Sequence, residues 1–390
     1  MRHLGINALF LIPGEVGGSQ TYLVETLKEL LPVLPCPCTI FTNSENDAML
    51  RETLHGVPAP HGLSFDCLGF KARNRYSRIV REQIQLPRRV ARAGCDLLWS
   101  PGYTAPLHCH ARQAVSILDM QYRRFRNDLS PIGWLATHIL VTGAARRCER
   151  IIAISEFSKR EIVQLARIPQ EKISVTHLGV AGMIQKSQIS DLKSQISNLK
   201  SQISDIRSQI RDSNSVPYIL SVAASYPHKD LPRLVRAFGT VARRFPHRLV
   251  LVGGKGLGED ALKAAIEASP VRDRIERRSW MALDELAALY AGADLFVLPS
   301  RYEGFGIPPI EAQMAGIPVV ATRCASIPEV CGDGAIYVEG DGDDALADTI
   351  SSALSLDATE RAALVARGRA NAARFTWRSC AEKTLAALEA

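Results

Sequence analysis

The chain has 390 residues, which is long for one domain and predicts two domains of roughly 150–200 residues each. Hydrophobic residues make up 46% of the chain and charged residues 22%, the composition of a soluble globular protein. The apolar runs are shorter than the ~20 residues of a membrane span, and the first residues lack a signal-peptide cleavage pattern. The nine cysteines include no Cys-x-x-Cys pair, which predicts reduced thiols, a cytoplasmic location and no metal site.

The net charge of +7 is unevenly distributed. Eight basic residues between positions 71 and 92 are accompanied by one acidic residue, Glu82: Lys71, Arg73, Arg75, Arg78, Arg81, Arg88, Arg89 and Arg92. Such a stretch binds an anionic membrane surface, an acidic acceptor or nucleic acid, or it is a solvated helix face. No nucleic-acid-binding motif accompanies it, so we expect no nucleic-acid partner.

The first half of the chain alternates predicted strands with predicted helices. Leu4 to Ile12 reads as a strand, and a loop containing Gly17 and Gly18 follows it. Ser19 is placed to cap a helix that runs to about Leu31. A strand, a glycine-rich loop and a helix in this order predict a parallel βα unit whose loop binds phosphate, although a plain tight turn explains the loop equally well. Further strands are predicted at 38–42, 63–68, 96–100, 114–118, 150–154 and 175–180.

Residues 186–212 consist of near-identical seven-residue units that begin KSQISDL. Their Ile and Leu residues recur at spacings of three and four, the pattern of a coiled coil. One such helix alone would be marginally stable. The segment therefore either pairs in a homo-oligomer, packs on its own chain, or is a low-complexity expansion.

The second half returns to βα units, with strands predicted at 218–223, 248–252, 276–281, 294–298, 318–322 and 335–338. The fold class is therefore α/β with two doubly wound parallel sheets, and ligands are expected beyond the carboxyl ends of the strands. Lys229 follows one strand at the head of a helix. A cation is poorly placed at this end of the helix dipole unless an anion binds there.

The most informative segment runs from Asp294 to Gly316. A buried strand is followed by Gly304 and Gly306, a Pro-Pro pair, and a helix that should end near Gly316. Glu303 and Glu311 are eight positions apart, and Glu311 is expected in the first helical turn. Glycines and a helix start suit a ligand with phosphates and hydroxyls. The alternative is a structural link with two solvated glutamates.

This segment resembles the Glu-x7-Glu motif of the retaining GT-B glycosyltransferases of the nucleotide-sugar "group 1" family, and of its family-four, mannosyltransferase-like members. The resemblance implies two Rossmann-like domains that face a cleft. The N-terminal acceptor domain would be 1–184 and the C-terminal donor domain 214–375. The heptad insertion 185–213 would lie in the linker, and a final helix 376–390 would return to the first domain.

The resemblance also implies roles for individual residues. Lys229 would hold the donor diphosphate, Glu303 would contact the sugar, and Glu311 would accept from the ribose hydroxyls. Asp119 completes the implied catalytic set. The other implied donor-binding residues are Gly17, Gly18, His228, Gly254, Met281, Gly304, Phe305, Gly306 and Ile307. The family generally needs no metal, and no cofactor besides the UDP- or GDP-linked donor is implied.

Two positions depart from the family pattern. Leu118 occupies the position of a histidine that precedes Asp119 in many relatives, and leucine cannot form a hydrogen bond. Ala223 replaces an arginine found in some branches, so His228 is considered as an additional source of positive charge.

The predicted function is transfer of a hexose, with mannose favoured, to a glycan or lipid-linked acceptor with retention of configuration. The enzyme would be cytoplasmic and would act at the inner face of the membrane. One alternative is a nucleotide-sugar-binding scaffold that has lost catalysis, as Leu118 suggests. A nicotinamide-dependent oxidoreductase is the other, and it is disfavoured because Gly-x-Gly-x-x-Gly is missing.

Overall fold

The computed structural model describes residues 1–15, 17–180, 216–279 and 281–390, and only the backbone of Asn127. The predicted heptad segment 186–212 and Trp280 lie outside the described residues. The chain divides into two compact units. The first contains Met1–Gly179 and Phe375–Ala390, and the second contains Val180–Arg374.

The first unit is built on a seven-stranded parallel sheet with the order β3-β2-β1-β4-β5-β6-β7. Its strands are β1 Leu4–Asn7, β2 Cys38–Thr42, β3 Leu63–Cys67, β4 Leu97–Ser100, β5 Arg112–Ser116, β6 Arg150–Ala153 and β7 Ile173–Val175. Its helices are α1 Gly18–Leu30, α2 Asp47–Thr53, α3 Arg75–Val80, α4 Leu86–Arg92, α5 Gln121–Arg124, α6 Pro131–Arg147 and α7 Glu156–Ala166.

Strands β1, β2 and β4 are buried at every position, as expected for the centre of a parallel sheet covered by helices on both faces. Two apolar clusters cover the sheet. One includes Leu9, Phe41 and Leu98, and the other includes Val115 and Ile151. The sheet is therefore a rigid platform, and the residues that follow its strands are held in place by the packing beneath them.

Helices α3 and α4 are joined without a break by a five-residue π-helical segment, Arg81–Gln85. Asn74 caps α3 by accepting from the amide of Ser77. The π-helical segment directs Glu82 inward, where it accepts from Asn7 Nδ2 at 2.8 Å. Residues 75–92 of the predicted basic stretch therefore form one continuous helical segment, with the buried acid Glu82 near its middle.

The chain returns to the first unit in its last helix, which we number α15 (Trp377–Glu389). Thr376 caps it, and it packs along α1 with Cys380 Sγ 3.7 Å from Thr26 Oγ1. A Cβ atom at Gly179 would lie 2.2 Å from the Trp377 amide nitrogen. The segment that leaves the first unit at Gly179 is therefore in direct contact with the segment that returns to it at Trp377, and only glycine fits at position 179.

The second unit contains a six-stranded parallel sheet with the order β10-β9-β8-β11-β12-β13. Its strands are β8 Tyr218–Val222, β9 Arg248–Val252, β10 Ile275–Arg278, β11 Leu295–Leu298, β12 Val319–Thr322 and β13 Ile336–Val338. Its helices are α8 Leu231–Val241, α9 Glu259–Glu267, α10 Leu283–Gly292, α11 Ile307–Ala315, α12 Ile327–Cys331, α13 Asp343–Leu354 and α14 Ala358–Ala372. Apolar clusters cover both faces of this sheet as well.

The predicted fold class is confirmed, and the differences are local. β1 ends at Asn7 and not near Ile12, because the Asn7 side chain accepts from the Leu9 amide and turns the chain. Helix α1 begins at Gly18, so Ser19 lies inside it and Gly17 occupies the capping position. The last strand of the first sheet lies at Ile173–Val175, earlier than predicted. Among the described residues, no helix combines the length and apolar character needed to cross a bilayer.

Candidate functional site

In the second unit, a lysine and a glutamate that follow two neighbouring strands form an ion pair. β8 and β11 are adjacent and parallel, so the residues after them share one edge of the sheet. Lys229 lies in a 3₁₀ turn beyond β8, and Glu303 lies in the loop beyond β11. Lys229 Nζ is 2.7 Å from Glu303 Oε2, with 20% and 11% of the two side chains exposed.

Hydrogen bonds fix the position of Glu303. Ser300 Oγ donates to Glu303 Oε1 at 2.7 Å. Ser326 Oγ lies 2.9 Å from the carbonyl oxygens of both Glu303 and Phe305, which holds the Gly304-containing turn to the start of α12. The carboxylate is therefore oriented before any ligand binds.

His228 is neutral at pH 7. Burial lowers the pKa of its imidazole to about 4, the positive charge of Lys229 contributes in the same direction, and Glu303 opposes it. The ring stacks on Tyr226, with ring centroids 5.8 Å apart. In this structure the additional positive charge that we considered at His228 is therefore not present. Arg301, in the loop beyond β11, is a second cation beside this turn: its amide donates to the His228 carbonyl and its Nε contacts Asp230 Oδ2, both at 2.7 Å.

The start of α11 presents few but well-placed amide groups. Gly306 occupies the capping position with φ +98°, and a Cβ atom there would lie 2.6 Å from Ile327 Cδ1. Pro308 and Pro309 follow Ile307 and carry no N–H. The donors that this helix start can offer to an anion are therefore the amides of Gly306 and Ile307.

Glu311 is the fifth residue of α11, so our expectation that it lies in the first turn was wrong by one position. Its Oε2 accepts from the Tyr290 hydroxyl at 2.8 Å. Burial raises the pKa of the Glu311 carboxyl to about 7, and the hydrogen bond from Tyr290 partly opposes this shift. Glu311 is therefore present in both protonation states near neutral pH.

Arg277 contacts Gly254 and lines the same cavity as Met281. Arg277 Nη2 donates to the Gly254 carbonyl at 3.2 Å and also pairs with Glu259. Met281 and Arg277 line a cavity of about 680 Å³ together with Arg278, Ser279, Glu285, Ala288 and Leu289. The glycine that the backbone strictly requires is the preceding Gly253, where φ is +149° and a Cβ atom would lie 2.2 Å from the Ala223 carbonyl oxygen.

The remaining predicted residues belong to the first unit. Asp119 follows β5, and its Oδ2 accepts from the Tyr103 hydroxyl at 3.0 Å while Oδ1 accepts from the Gln121 amide at 2.9 Å. Gly17 has φ +48°, and its carbonyl accepts from the Gln20 amide. A Cβ atom at Gly17 or at Gly18 would meet no other described atom within 4 Å.

Leu118 is buried, with 5% of the side chain exposed. Its carbonyl accepts from Ser158 Oγ at 2.7 Å, which ties the end of β5 to α7. The position is thus occupied by a packed hydrocarbon side chain next to Asp119. Among the described residues, no three His, Cys, Asp or Glu side chains are grouped closely enough to hold a metal ion.

Sequence reasoning missed three residues of the second-unit site, namely Tyr290, Arg301 and Arg277. Tyr290 lies 21 residues before Glu311 and meets it only through packing, so no local pattern indicates the pair. Arg301 lies in the segment from Asp294 to Gly316, between Ser300 and Glu303, and this position alone would have indicated that it lies near the site.

Two family models match the chain and together cover most of it. "Glycosyltransferase Family 4" matches residues 16–181, and "Glycosyl transferases group 1" matches residues 202–371. Among curated proteins, O-antigen chain mannosyltransferase B of Escherichia coli is 31% identical over 238 residues, which cover 60% of this chain and 59% of that protein. O-antigen chain mannosyltransferase RfbU of Salmonella typhimurium is 26% identical over 63% of this chain and 61% of its own length. The matched region therefore spans about three fifths of these relatives.

Solved structures support the same fold. Anabaena Alr3699/HepE, solved in complex with UDP and glucose, superimposes with a TM-score of 0.71 at 18% identity over the full length of both chains. WaaG, a glycosyltransferase involved in lipopolysaccharide biosynthesis, has a TM-score of 0.69 at 15% identity over 98% of both chains. These structures share the fold, and the two family models show that the chain belongs to the group 1, family 4 glycosyltransferases.

Proposed function

We propose that the protein is a retaining glycosyltransferase that transfers a hexose, with mannose favoured, from a UDP- or GDP-sugar to a glycan or lipid-linked acceptor. The observation that carries this proposal is the Lys229–Glu303 pair at the carboxyl edge of the second sheet. The names of the two O-antigen mannosyltransferase relatives favour mannose, and the UDP and glucose in the Anabaena structure favour a nucleotide-sugar donor.

The chemistry requires a group that stabilises the departing diphosphate. Lys229 supplies a positive charge, and the amides of Gly306 and Ile307 supply hydrogen-bond donors at a helix start. The acceptor hydroxyl attacks the anomeric carbon on the face from which the diphosphate leaves. The bond from the anomeric carbon to the phosphate oxygen breaks, and the diphosphate takes the acceptor proton.

Glu303 and Glu311 have different tasks in this proposal. Glu303 contacts the sugar hydroxyls and stabilises positive charge at the anomeric carbon, which its orientation by Ser300 favours. Glu311 accepts from the ribose hydroxyls, and Tyr290 holds its carboxyl in place. Met281 and Gly254 are assigned to the nucleotide, next to the cavity that Arg277 lines. The remaining residues of the proposed catalytic and donor-binding set, Asp119, Gly17 and Gly18, belong to the first unit.

The proposal includes a cytoplasmic location at the inner face of the membrane, with contact through the basic stretch 71–92. All nine cysteines are free thiols, which fits a reducing compartment. Self-association through 186–212 remains a proposal from the sequence.

Turnover of a panel of UDP- and GDP-sugars by the purified full chain tests the function, with release of the nucleoside diphosphate as the readout. We expect Lys229→Ala and Glu303→Ala each to lower kcat by about 100-fold or more, because each removes charge that acts on the transition state. Lys263→Ala and Glu267→Ala change exposed residues of α9 and are the matched controls. Near-normal rates in Lys229→Ala or Glu303→Ala would refute the assigned roles. Nucleotide-sugar binding without turnover by the unmodified protein would favour the scaffold alternative.

A further inference from the structure

The first unit has a cavity of about 720 Å³ at the amino edge of its sheet. Arg112, the first residue of β5, and Glu149, which precedes β6, both line it, so the cavity lies at the edge where these two strands begin. Asp119, Gly17 and Gly18 follow β5 and β1, and they therefore belong to the opposite, carboxyl edge. The cavity is thus separate from the residues of this unit that we assign to catalysis and donor binding.

Three different elements each bring an arginine to this cavity. Arg88 belongs to α4, Arg112 to β5 and Arg147 to the end of α6. Glu149 is the acid among the described lining residues, and its Oε2 lies 2.7 Å from Arg112 Nε. The side chains of Arg88 and Arg147 are exposed and form no ion pair within the part of the chain that the structure describes. Three arginines and one glutamate leave the cavity positively charged.

Arginine side chains around a cavity suit a phosphate group. The planar guanidinium donates two parallel hydrogen bonds to phosphate oxygens, and it keeps its charge at every physiological pH. His108 and His110, in the loop before β5, also line the cavity and are exposed. Their ring nitrogens form hydrogen bonds with phosphate oxygens or with hydroxyl groups. These side chains therefore favour an anionic ligand that is rich in oxygen atoms.

A buried amide group at the same cavity lacks a hydrogen-bond partner. Gln113 lines the cavity and is 7% exposed, and its Oε1 forms no hydrogen bond with any described residue. A buried polar atom without a partner is unfavourable, and the great majority of such atoms in proteins are bonded. A ligand hydroxyl in the cavity would provide a partner once the amide turns towards it. The amide therefore favours a ligand that carries hydroxyl groups in addition to its anionic group.

We propose that this cavity is a second ligand site, which binds a soluble phosphorylated sugar. The phosphate contacts Arg88, Arg112 and Arg147, and a sugar hydroxyl bonds to Gln113. The volume of about 720 Å³ lies within the range of small-molecule sites. None of the described lining residues is a large, exposed apolar side chain, so nothing here would accompany a lipid headgroup into a bilayer. Binding at this site does not depend on the proposed transfer reaction.

Isothermal titration calorimetry of the full chain with mannose 6-phosphate tests the site, and mannose is the matched ligand without a phosphate. We expect mannose 6-phosphate to bind and mannose to show no binding over the same concentrations. Arg88→Glu/Arg147→Glu should raise the Kd for mannose 6-phosphate at least about tenfold, because two attractive contacts with the phosphate become repulsive. Gln113→Leu should raise this Kd and leave the Kd for inorganic phosphate unchanged, because it removes the bond to the sugar hydroxyl alone.

Arg243→Glu/Arg272→Glu is the matched control, because it reverses two charges on exposed residues of the second unit that do not line the cavity. Lys229→Ala should also retain binding, which separates this site from the donor site. The proposal would be overturned by failure of mannose 6-phosphate to bind, by an unchanged Kd in Arg88→Glu/Arg147→Glu, or by loss of binding in Lys229→Ala.

A lipid headgroup is the competing source of phosphate at this cavity. Co-flotation with vesicles that contain phosphatidic acid, in the absence of binding to free mannose 6-phosphate, would assign the cavity to a lipid and overturn the proposal. Binding of mannose 6-phosphate by a protein that shows no turnover of any nucleotide-sugar would refute the proposed function and leave the second site intact. The two proposals therefore fail on different measurements.

Discussion

Glu311 is a carboxyl group that titrates near neutral pH because it is buried. The role that we propose for Glu311, accepting hydrogen bonds from the ribose hydroxyls, is favoured by the ionised form, which is the stronger acceptor. We therefore expect the KM for the donor to fall as the pH rises from about 6 to about 8, through the pKa of about 7. Steady-state kinetics across this range measure the effect, and Glu311→Gln should raise KM and remove its dependence on pH in this window.

Tyr290→Phe provides a directional control for the same carboxyl group. The Tyr290 hydroxyl lowers the pKa of Glu311 against the larger effect of burial, so removing it should shift the midpoint of the KM profile to higher pH. The raised pKa of Glu311 also makes folding stability depend on pH, and stability falls over the pH range in which donor binding improves. Because the folded-state pKa lies above the usual value, the contribution of Glu311 to stability is present below about pH 4.5 and is lost as the pH rises through about 7. A KM profile that is unchanged in Tyr290→Phe would contradict this assignment.

A substitution at Leu118 distinguishes two possibilities: an enzyme that is slow because it lacks the family histidine, and an enzyme that does not need this histidine. Leu118 is 5% exposed, so Leu118→His places an imidazole where a hydrocarbon side chain is packed. We expect Leu118→His to lower the melting temperature without raising kcat, and thermal unfolding and turnover measured on the same preparation check this. Leu118→Met, which keeps an apolar side chain, is the control. A rate increase in Leu118→His would instead show that the protein is a catalytically impaired relative.

At the level of residues, the sequence indicated the acids and the lysine but not their electrostatic state. Lys229 and Glu303 could be predicted because each follows a strand at a recognisable turn. The neutral His228 and the raised pKa of Glu311 could not, because both depend on burial by residues distant in the chain. Tyr290 shows the same limit, since only packing of α10 beside α11 brings its hydroxyl to Glu311.

At the level of elements, the turn before α11 depends on one glycine. Gly306 has φ +98°, which disfavours any other residue, and a Cβ atom there would lie 2.6 Å from Ile327 Cδ1. We expect Gly306→Ala to lower the free energy of unfolding by about 1–2 kcal/mol or more, because both the backbone and the packing oppose the methyl group. Urea unfolding measures this change.

Gly254→Ala is the matched control for Gly306→Ala. Gly254 does not have a positive φ, and a Cβ atom there would meet nothing within 4 Å, so the substitution should leave stability nearly unchanged. Equal destabilisation by Gly306→Ala and Gly254→Ala would show that the glycine-containing turn is not the rigid element we describe.

Strand positions were predicted closely where buried residues are continuous. β2 and β9 match the predicted ranges, because an apolar run in a parallel sheet is easily recognised. Strand ends were less predictable. The side chain of Asn7 ends β1 through a bond to the backbone two residues later, and such a local turn competes with an apolar run that continues beyond it.

At the level of the whole molecule, the last helix is part of the first unit and not of the second. α15 buries Trp377, Cys380, Ala381, Thr384, Ala387 and Leu388. We expect a chain that ends at residue 374 to lose the cooperative unfolding of the first unit, because α1 would expose the surface that α15 covers. Calorimetry of the shortened and full chains tests this.

Arg378→Ala is the control for the shortened chain. It removes an exposed ion pair with Glu382 on α15, and such pairs contribute little to stability, so the unfolding transition should be retained. A shortened chain that unfolds like the full chain would show that α15 is dispensable for the first unit.

The order of the two units along the chain has a consequence for biosynthesis. The second unit lies between the two segments of the first, so a ribosome makes all of residues 180–374 before it makes the helix that covers α1. At ~5–20 residues per second this interval is on the order of ten to forty seconds. During that time the first unit is incomplete, and its uncovered apolar surface is available to chaperones. The second unit, in contrast, is synthesised in full before the last helix of the first unit is made.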